Sequence, residues 1–390
     1  MKEGWEYKKL ADVALYSIGL TYKPSDVSEE GTIVLRSSNI QNDKLDLNDI
    51  VKVNCPIKES LYVQKDDILM CSRNGSAKLV GKVALIPKIE ERMTYGTFMM
   101  VIRSVYNPYL FYYFKSDNFR SQIKHGEANM INQITRYMLD DVYLYIPPLS
   151  EQQSIVDYLD SAFAKIDAMK ANAEKALNEA KALFQASLKE MLEPKEGWVT
   201  STLKDECYKI TDGTHQTPKY YPSGYIFLSS RNVTSRKIDW EDVKFIDESQ
   251  HQLMYKRVAP QVGDILLAKN GTTGVAAMVD RDVVFDIYVS LALLRSRGNV
   301  TPEYLLAFVN SPIAKEQFDK RLIGMGVPNL HLGEINQVVI TYPQDKVEQI
   351  RMTQRIEELD CLIIRLQANY DKISQECDAL KQAILRQVFE

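Results

Sequence analysis

The sequence contains an internal repeat that starts again about halfway along the chain. The tetrapeptide Lys-Glu-Gly-Trp stands at residues 2–5 and returns at residues 195–198, an offset of 193 residues. Further matches follow in the same order: Gly19–Pro24 with Gly213–Pro218, Leu35–Ile40 with Leu228–Val233, Asp67–Gly75 with Asp264–Gly271, and Asn107–Leu110 with Thr301–Leu305. Because chance does not produce a series of matches in order, the repeat predicts two copies of one architecture.

Each copy divides into a mixed module and a long helix. Apolar runs bounded by Gly, Pro and Asn predict strands at Thr32–Leu35, Ile68–Cys71, Val83–Ile86, Phe98–Arg103, Tyr225–Leu228, Ile265–Ala268 and Ile287–Leu294. Short helices are predicted at Pro108–Phe114 and Pro302–Val309, and we interpret the preceding Asn107 and Thr301 as their caps. Residues 149–193 and 346–390 are nearly free of Gly and Pro. We therefore expect an α+β protein with modules at 1–148 and 195–345 and helical segments at 149–194 and 346–390.

Both helical segments carry an apolar stripe. The second stripe alternates spacings of four and three residues from Met352 to Ile384, which is typical of a left-handed coiled coil. At about 1.5 Å per residue each helix would be about 65 Å long. We expect the stripes to bury each other as an antiparallel pair, although packing of each helix on its own module is an alternative. The expected seam residues are Leu159, Phe163, Ile166, Leu177, Phe184 and Leu188 on the first helix, and Ile356, Leu359, Ile363, Leu366, Ile373, Leu380 and Ile384 on the second.

The charge balance argues against a simple nucleic-acid-binding protein. The chain has 48 Lys and Arg residues against 52 Asp and Glu residues, and its net charge is −4. DNA binding would therefore depend on locally placed cations or on a more basic partner. No apolar run approaches the roughly 18 residues that a membrane span needs, and we expect a cytoplasmic protein. The five cysteines form no Cys-x-x-Cys pair, which predicts reduced thiols.

Motifs for catalysis are incomplete in both copies. Residues 75–83 resemble a phosphate-binding loop, but Val83 stands where a Ser or Thr would bind Mg²⁺. Residues 107–109, Asn-Pro-Tyr, resemble part of an adenine methyltransferase motif that lacks its second proline. The four histidines lack the spacing of metal ligands. We therefore expect no catalytic residue, metal or cofactor in this chain.

Three polar loops recur at matching positions in the two copies. Arg and Lys suit guanine edges or phosphates, Asn and Gln suit adenine, and Ser and Thr can bind either bases or phosphates. For one loop alone an ordinary turn is the simpler interpretation. Because three loops recur together with different side chains, we predict that the two copies contact two different DNA sequences, with Arg73 and Lys269 as direct contacts. The candidates are Thr21, Lys23, Arg36, Ser38, Asn39, Arg73, Asn74, Ser76, Lys78 and Lys82 in the first copy, and Thr214, His215, Gln216, Thr217, Lys219, Arg231, Asn232, Lys269, Asn270, Thr272 and Thr273 in the second.

Several of these segments resemble the specificity subunits of type I restriction–modification systems. The resemblance rests on Gly-Trp at the start of each module, on residues 67–75 and 263–271, and above all on Ile-Pro-Pro-Leu-Ser-Glu-Gln-Gln-Ser-Ile at residues 146–155. The corresponding residues 342–349 keep one Pro and the Glu-Gln pair with a shifted spacing. The resemblance covers essentially the whole chain.

The resemblance implies two target-recognition domains, 1–148 and 195–345, each of which reads one half of a bipartite site in double-stranded DNA. Segments 149–194 and 346–390 would be the central and C-terminal conserved spacer helices, which set the gap between the half-sites and dock the modification subunits. Two modification subunits would supply S-adenosylmethionine and methylate adenine at N6, and restriction subunits would use ATP and Mg²⁺. This chain would then be the non-catalytic subunit.

Two alternatives belong to other classes of protein. The chain could be the recognition part of a fused or self-contained DNA methyltransferase or nuclease. It could also be a coiled-coil scaffold that does not act on DNA.

Overall fold

The computed structural model describes residues 3–123, 133–322 and 329–390. Two compact units are present, one formed by Met1–Ala173 with Asp371–Glu390 and the other by Glu174–Tyr370. Each unit contains one module and part of each long helix, so the division falls within the helices. The module limits at residues 148 and 345 stay predictions.

The first module is a mixed α/β structure. Its central antiparallel sheet has the strand order β2-β11-β8-β9, and a second sheet has the order β10-β4-β7-β3, in which β10 and β4 are parallel. Strand β1 pairs with β12, and β5 with β6. The strands are β1 Glu6–Lys9, β2 Leu15–Ile18, β3 Val27–Ser28, β4 Thr32–Leu35, β5 Ile40–Gln41, β6 Lys44–Leu45, β7 Val51–Val53, β8 Ile68–Cys71, β9 Val83–Leu85, β10 Met93–Tyr95, β11 Met99–Arg103 and β12 Tyr143–Ile146. The helices are α1 Leu10–Val13, α2 Asn107–Tyr113, α3 Asp117–Gln122 and α4 Arg136–Asp140, followed by the long helix α5 Leu149–Leu192.

The second module repeats this plan. Its central sheet has the order β14-β20-β17-β18, its second sheet has the order β16-β15-β19, and β13 pairs with β21. The strands are β13 Val199–Thr202, β14 Cys207–Asp212, β15 Tyr225–Leu228, β16 Lys244–Ile246, β17 Ile265–Ala268, β18 Ala276–Met278, β19 Phe285–Ile287, β20 Leu291–Ser296 and β21 Val339–Tyr342. The helices are α6 Leu203–Glu206, α7 Glu248–Val258, α8 Pro302–Val309, α9 Pro312–Asp319, α10 Leu332–Asn336 and the long helix α11 Lys346–Phe389. The predicted class, two mixed α/β modules with two long helices, is confirmed.

The central sheets are covered on both faces. In β8, Ile68 and Met70 belong to one hydrophobic cluster, whereas Leu69 and Cys71 belong to another. Strand β17 alternates in the same way between two clusters of the second module. Successive strand residues point to opposite faces, so a strand buried on both faces is a continuous apolar run rather than an alternating one.

An ion pair with a buried aspartate recurs beside the central sheet of each module. The guanidinium of Arg103 forms two hydrogen bonds to the carboxylate of Asp67, at 2.7 and 2.6 Å, and that of Arg295 does the same with Asp264, at 2.5 and 2.6 Å. Each Asp directly precedes its central strand. The Asp of the repeated Asp-Ile-Leu sequence therefore has a structural role, because it binds an arginine of the same module.

Two local predictions are wrong. Thr301 caps its helix, since its side chain accepts a hydrogen bond from Tyr304 N, but Asn107 is the first residue of α2 rather than its cap. The Asn107 side chain instead donates to Asp66 O and Ile102 O. The single strand predicted at Ile287–Leu294 is two strands, β19 and β20. A turn separates these two strands, which belong to different sheets. Strand β19 pairs parallel with β15, whereas β20 pairs antiparallel with β14 and β17.

The long helices begin in equivalent ways. Near the start of α5, Gln152 is buried and donates to Pro147 O at 2.7 Å. Near the start of α11, Gln349 is buried and donates to Pro343 O at 2.9 Å. The Glu-Gln pair thus aligns α5 with α11 at an offset of 197 residues, and the different proline spacing changes only the preceding loop.

Within each unit the helices pair with each other and also pack on the module. In the first unit Lys381 contacts Asp167 and Lys170 contacts Asp378, which makes the pair antiparallel. The same core includes Leu159 and Phe163 of α5 together with module residues. In the second unit Lys181 donates to Gln367, and Phe184 and Ile356 join the core of the second module. The two predicted modes of helix packing therefore coexist.

Two of the predicted seam positions are wrong. Leu366 and Leu380 are 41% and 47% exposed, and the following residues Gln367 and Lys381 make the contacts to α5. An α-helix drifts by about 20° per seven residues from a strict seven-residue repeat, so the predicted stripe rotates away from the partner helix. The other predicted seam residues are buried or half-buried: Leu159, Phe163, Ile166, Leu177, Phe184, Leu188, Ile356, Leu359, Ile363, Ile373 and Ile384.

Candidate nucleic-acid interface

Three loops of the first module meet at one edge of the module, beyond the ends of β2 and β8 of the central sheet and of β4 of the second sheet. The first loop (19–24) follows β2, the second (36–49) follows β4, and the third (72–82) follows β8. A short turn (96–98) joins them, because Leu20 bridges to Gly96 and Arg73 N donates to Phe98 O at 3.1 Å. The third loop also reaches the second, since Asn74 Nδ2 donates to Ser37 Oγ at 3.2 Å.

A glycine allows the first loop to approach this turn. A Cβ added at Gly19 would lie 2.2 Å from Tyr95 O, and one added at the equivalent Gly213 would lie 1.8 Å from Ile287 O. Contacts this short exclude any side chain without movement of the backbone. The repeated glycine is therefore explained by close packing of the two segments.

The second module assembles the same edge with its own loops, 213–219, 229–242 and 269–275, and the turn 288–290. Thr214 bridges to Tyr288. Ser290 joins the other two loops, because its hydroxyl accepts from Ser230 N at 3.0 Å and its carbonyl accepts from Lys269 N at 2.8 Å. The three loops that the sequence singled out thus lie together, whereas the turn that links them was not predicted.

The predicted contact residues differ in accessibility. Arg73 is exposed, and its guanidinium lies 5.6 Å from the centre of the Phe98 ring. The exposed candidates are Thr21, Lys23, Arg73, Ser76, Lys78, His215, Gln216, Thr217, Lys219, Arg231 and Thr272. The half-buried ones are Arg36, Ser38, Asn74, Lys82, Thr214, Asn270 and Thr273, and the buried ones are Asn39, Asn232 and Lys269.

Asn39 and Asn232 hold the second loops closed, which corrects their prediction as DNA contacts. Asn39 Oδ1 accepts from Arg36 N, and its Nδ2 donates to Asp46 O and Asp49 O, each at 2.8 Å. Asn232 makes the equivalent bonds to Ser229 N, Asp239 O and Asp242 O. Both amides are buried and their polar atoms are already used, so neither is available to read a base.

Lys269 is also a structural residue, and its prediction as a direct DNA contact is wrong. Its Nζ donates to Asp212 Oδ2 at 2.7 Å, and both side chains are almost completely buried. Burial by itself would raise the pKa of Asp212, but the hydrogen bonds and charges of Lys269 and His215 outweigh it and lower that pKa. In the first module the residue before the glycine is Ile18 rather than Asp, so Arg73 has no equivalent carboxylate at this position.

The other oxygen of Asp212 organises two accessible side chains. Arg257 Nη2 donates to Asp212 Oδ1 at 2.8 Å, and His215 Nε2 lies 3.3 Å from the same atom. Arg257 stands near the end of α7 and is half exposed. It also lines a cavity of about 270 Å³ together with Thr214, Gln216 and Thr217 of the first loop.

Sequence reasoning missed both Arg257 and Phe98. Arg257 lies 45 residues from Asp212, and no motif relates the two. Phe98, which is 56% exposed, was included in a predicted strand. The Gly-Thr pair before it was the available signal, because glycine followed by a polar residue interrupts an apolar run as a turn does.

An ion pair recurs on each second loop with its arginine at different positions. Arg36 pairs with Asp49 at 2.8 Å, and Arg231 pairs with Asp242. The two aspartates are equivalent in the repeat, whereas Arg231 aligns with Ser38 rather than with Arg36. Equivalent carboxylates therefore pair with arginines at non-equivalent positions of the two second loops.

The described residues give no sign of a metal centre or a membrane span. Across 3–123, 133–322 and 329–390, no group of three or more His, Cys, Asp or Glu side chains is arranged to hold a metal ion. No helix in these ranges combines the length and hydropathy that crossing a bilayer requires.

Comparison with known proteins finds similarity to one group. Residues 2–179 match the family described as Type I restriction modification DNA specificity domain. The chain is 26% identical over 417 residues to the type I restriction enzyme EcoKI specificity subunit of Escherichia coli K12, covering 100% of this chain and 89% of that protein. It is 24% identical to the MjaVIII specificity subunit of Methanocaldococcus jannaschii, covering 93% and 87%.

Solved structures share the fold. A chain from a study of complex assembly and conformational transition of the type I R-M system matches with a TM-score of 0.73 at 18% identity, over 99% of this chain and 97% of that one. The HsdS subunit from Thermoanaerobacter tengcongensis matches with a TM-score of 0.55 at 17% identity, over 100% and 97%. The chain is thus similar, along its whole length, to the specificity subunits of type I restriction–modification systems, and residues 2–179 match the domain described for them.

Proposed function

We propose that each module of this specificity subunit reads one half of a bipartite site in double-stranded DNA. The observation that carries the proposal is the repeated edge at which three loops and a turn converge. Its framework contacts recur in both copies, while the exposed side chains differ. A common framework with variable exposed residues is suited to reading two different sequences in the same geometry.

The residues proposed to face DNA in the first module are the exposed ones around Arg73. The Arg73 guanidinium beside the Phe98 ring can reach a guanine edge or a phosphate, and Lys78 and Lys23 supply further positive charge. Phe98 offers an apolar surface for contact with a thymine methyl group.

In the second module the proposal assigns the main contact to Arg257 rather than to Lys269. Asp212 holds Arg257 at the mouth of the cavity beside Gln216 and Thr217. A guanidinium fixed on one side by a carboxylate retains further N–H donors for a base or a phosphate. His215 of the first loop lies beside the same carboxylate oxygen and adds a further polar side chain next to Arg257.

The chemistry is proposed to belong to partner subunits. Two modification subunits would bring S-adenosylmethionine and methylate adenine at N6, and restriction subunits would use ATP and Mg²⁺ to cleave DNA. The net charge of −4 supports this division, because a chain without a basic surplus needs help from its partners to bind a polyanion. The paired helices α5 and α11 would dock the modification subunits and set the gap between the half-sites.

Methylation by the assembled complex tests the proposal. The complex of this chain with its modification subunits is incubated with labelled S-adenosylmethionine and duplexes in which each half-site carries single base changes. We expect Arg73→Ala to relax one position of one half-site and Arg257→Ala one position of the other, with discrimination reduced by about 1–3 kcal/mol if each contacts a base. Methyl transfer by the isolated chain would instead support a self-contained enzyme, and a sequence-independent complex would support a scaffold.

A further inference from the structure

The second loop of each module reverses direction at a tip, which lies in the middle of the loop and has an unusual backbone conformation. In the first copy Asn42 and Asp43 both have positive φ, 51° and 61°, and form the two-residue turn between β5 and β6. Such a turn is typical of a tight hairpin. In the second copy the equivalent of Asp43 is Arg236, at the repeat offset of 193, and its φ is also 61°. Two residues of opposite charge thus occupy the same left-handed position.

The tip of the first copy is attached to the helices of its own unit through Lys115. Asp43 Oδ2 lies 2.6 Å from Lys115 Nζ. The Lys115 side chain is only 14% exposed, and its Nζ lies 5.0 Å from the centre of the Phe163 ring on α5. The second helix also takes part, because Gln382 Nε2 donates to the backbone carbonyl of Lys115. Burial lowers the pKa of Lys115, and the charge of Asp43 opposes that shift.

The tip of the second copy reaches its helix directly. Arg236 Nη1 lies 3.9 Å from Asp360 Oδ1 on α11. With the helix offset of 197 residues given by Gln152 and Gln349, Asp360 is the equivalent of Phe163. Each tip is therefore attached at the same position of its helix, by a largely buried lysine in one unit and by a partly exposed ion pair in the other.

The base of each loop is fixed as firmly as its tip. Asn39 and Asn232 close the base through equivalent hydrogen bonds, and two residues before them Ser37 and Ser230 join the third loop and the turn. Because each second loop is held at its base and at its tip, the helix fixes where the loop lies at the edge proposed to read DNA.

The partners Lys115 and Asp360 are not equivalent residues, but each lies at the level of the same helix position, Phe163 or its equivalent Asp360. One contact could be incidental packing, whereas two contacts that join aligned tips of opposite charge to this position are not explained by packing alone.

We infer that Asp43–Lys115 and Arg236–Asp360 are positioning contacts that hold the second recognition loop of each module in register with its spacer helix. The inference rests on the proposed function, since it concerns how that function is aligned. Asp43 and Arg236 touch no DNA in this account. They determine how sharply each half-site is read.

Charge reversal in the second unit tests the inference. The complex with modification subunits is assayed for methylation of duplexes with the correct second half-site and with single base changes in it. Arg236→Asp and Asp360→Arg should each lower the ratio of correct to changed sites by about two- to five-fold, the range expected for an exposed ion pair. The double variant should restore the ratio, and the first half-site should be read normally in all three. Lys315→Ala, which removes the exposed ion pair with Asp319 in the same module, is the matched control.

The first unit provides an independent test with a larger expected effect. Asp43→Arg places a second cation beside a buried lysine and should reduce discrimination at the first half-site by about ten-fold or more, whereas Asp43→Glu should retain most of it. Melting of the complex separates this effect from loss of folding.

Unchanged ratios in the single variants of both units, or a double variant no better than the singles, would overturn the inference. A wild-type complex that methylates without sequence preference would overturn the proposed function instead. The two failures are therefore distinguishable.

Discussion

Lys269 Nζ lies 2.7 Å from Asp212 Oδ2 in the second module, and both side chains are withdrawn from solvent. The equivalent residue of the first module, Arg73, is exposed at the same place in its loop. The cause is one substitution on the neighbouring strand, because Asp212 aligns with Ile18. Equivalent cations thus form a buried ion pair in one copy and remain exposed to solvent in the other.

Substitutions of Lys269 and Arg73 should therefore have opposite effects. Lys269→Met leaves a buried carboxylate oxygen without its partner and should lower the free energy of unfolding by about 3 kcal/mol or more. Arg73→Ala should change it by less than about 0.5 kcal/mol while weakening DNA discrimination. Urea unfolding followed by circular dichroism measures the first effect. Recovery of stability in Lys269→Met with Asp212→Leu supports the explanation, and a stable Lys269→Met single variant contradicts it.

The lowered pKa of Asp212 predicts a dependence of stability on pH. The folded state favours the ionised carboxylate of Asp212 more than the unfolded state does. The stability that this carboxylate contributes is therefore fully present above the unfolded pKa of about 3.9. It is lost as the pH falls through the lower folded pKa. Asp212→Asn should therefore lose less stability than the wild type on acidification from about pH 5 to pH 3. Urea midpoints across this range measure the difference, and parallel curves for the two proteins would rule out a contribution from Asp212.

Phe184 and Leu366 form a matched pair for testing the corrected seam, since both lie in the second unit. Phe184 is 7% exposed and belongs to the core, whereas Leu366 is 41% exposed. Phe184→Glu should destabilise the protein by about 3–5 kcal/mol, because it removes a buried ring and buries a charge. Leu366→Glu should cost less than about 1 kcal/mol. Equal melting temperatures for the two variants would mean that the seam is assigned incorrectly.

The proposed spacer role of the helices predicts a change in gap length on insertion. Four residues inserted after Ala173 add about 6 Å at 1.5 Å per residue and roughly preserve the phase of the stripe. At about 3.4 Å per base pair the gap should lengthen by one or two base pairs while both half-sites stay the same. Methylation of duplexes with gaps of graded length provides the readout. An insertion variant that methylates only the original spacing would show that the helices do not set the distance.

The architecture could be predicted from the sequence because the repeat and the apolar stripes of the helices can be seen directly in the order of the residues. The Asp-Ile-Leu strands and the Glu-Gln helix starts recur because both copies need the same core. The seam was predicted less well, since a strict 4-3 spacing ignores the drift that exposes Leu366 and Leu380.

The contact residues were harder to predict because their availability depends on partners far away in sequence. Lys269 and Asp212 are 57 residues apart, and no local pattern distinguishes a lysine that pairs with a buried aspartate from one that faces solvent. Asn39 has the side chain expected of an adenine reader, but its amide is used by loop carbonyls up to ten residues away. The loops could be located from sequence, whereas the role of each side chain required the structure.

Exchange of one module tests the central claim most directly. Residues 195–345 are replaced by the second module of a type I specificity subunit, the chimaera is expressed with the proposed modification subunits in a host that lacks them, and methylated adenines are mapped across the genome. The account predicts that one half-site changes to that of the donor while the other half-site and the gap are retained. A change in both half-sites, or in neither, would contradict the claim that each module reads its own half.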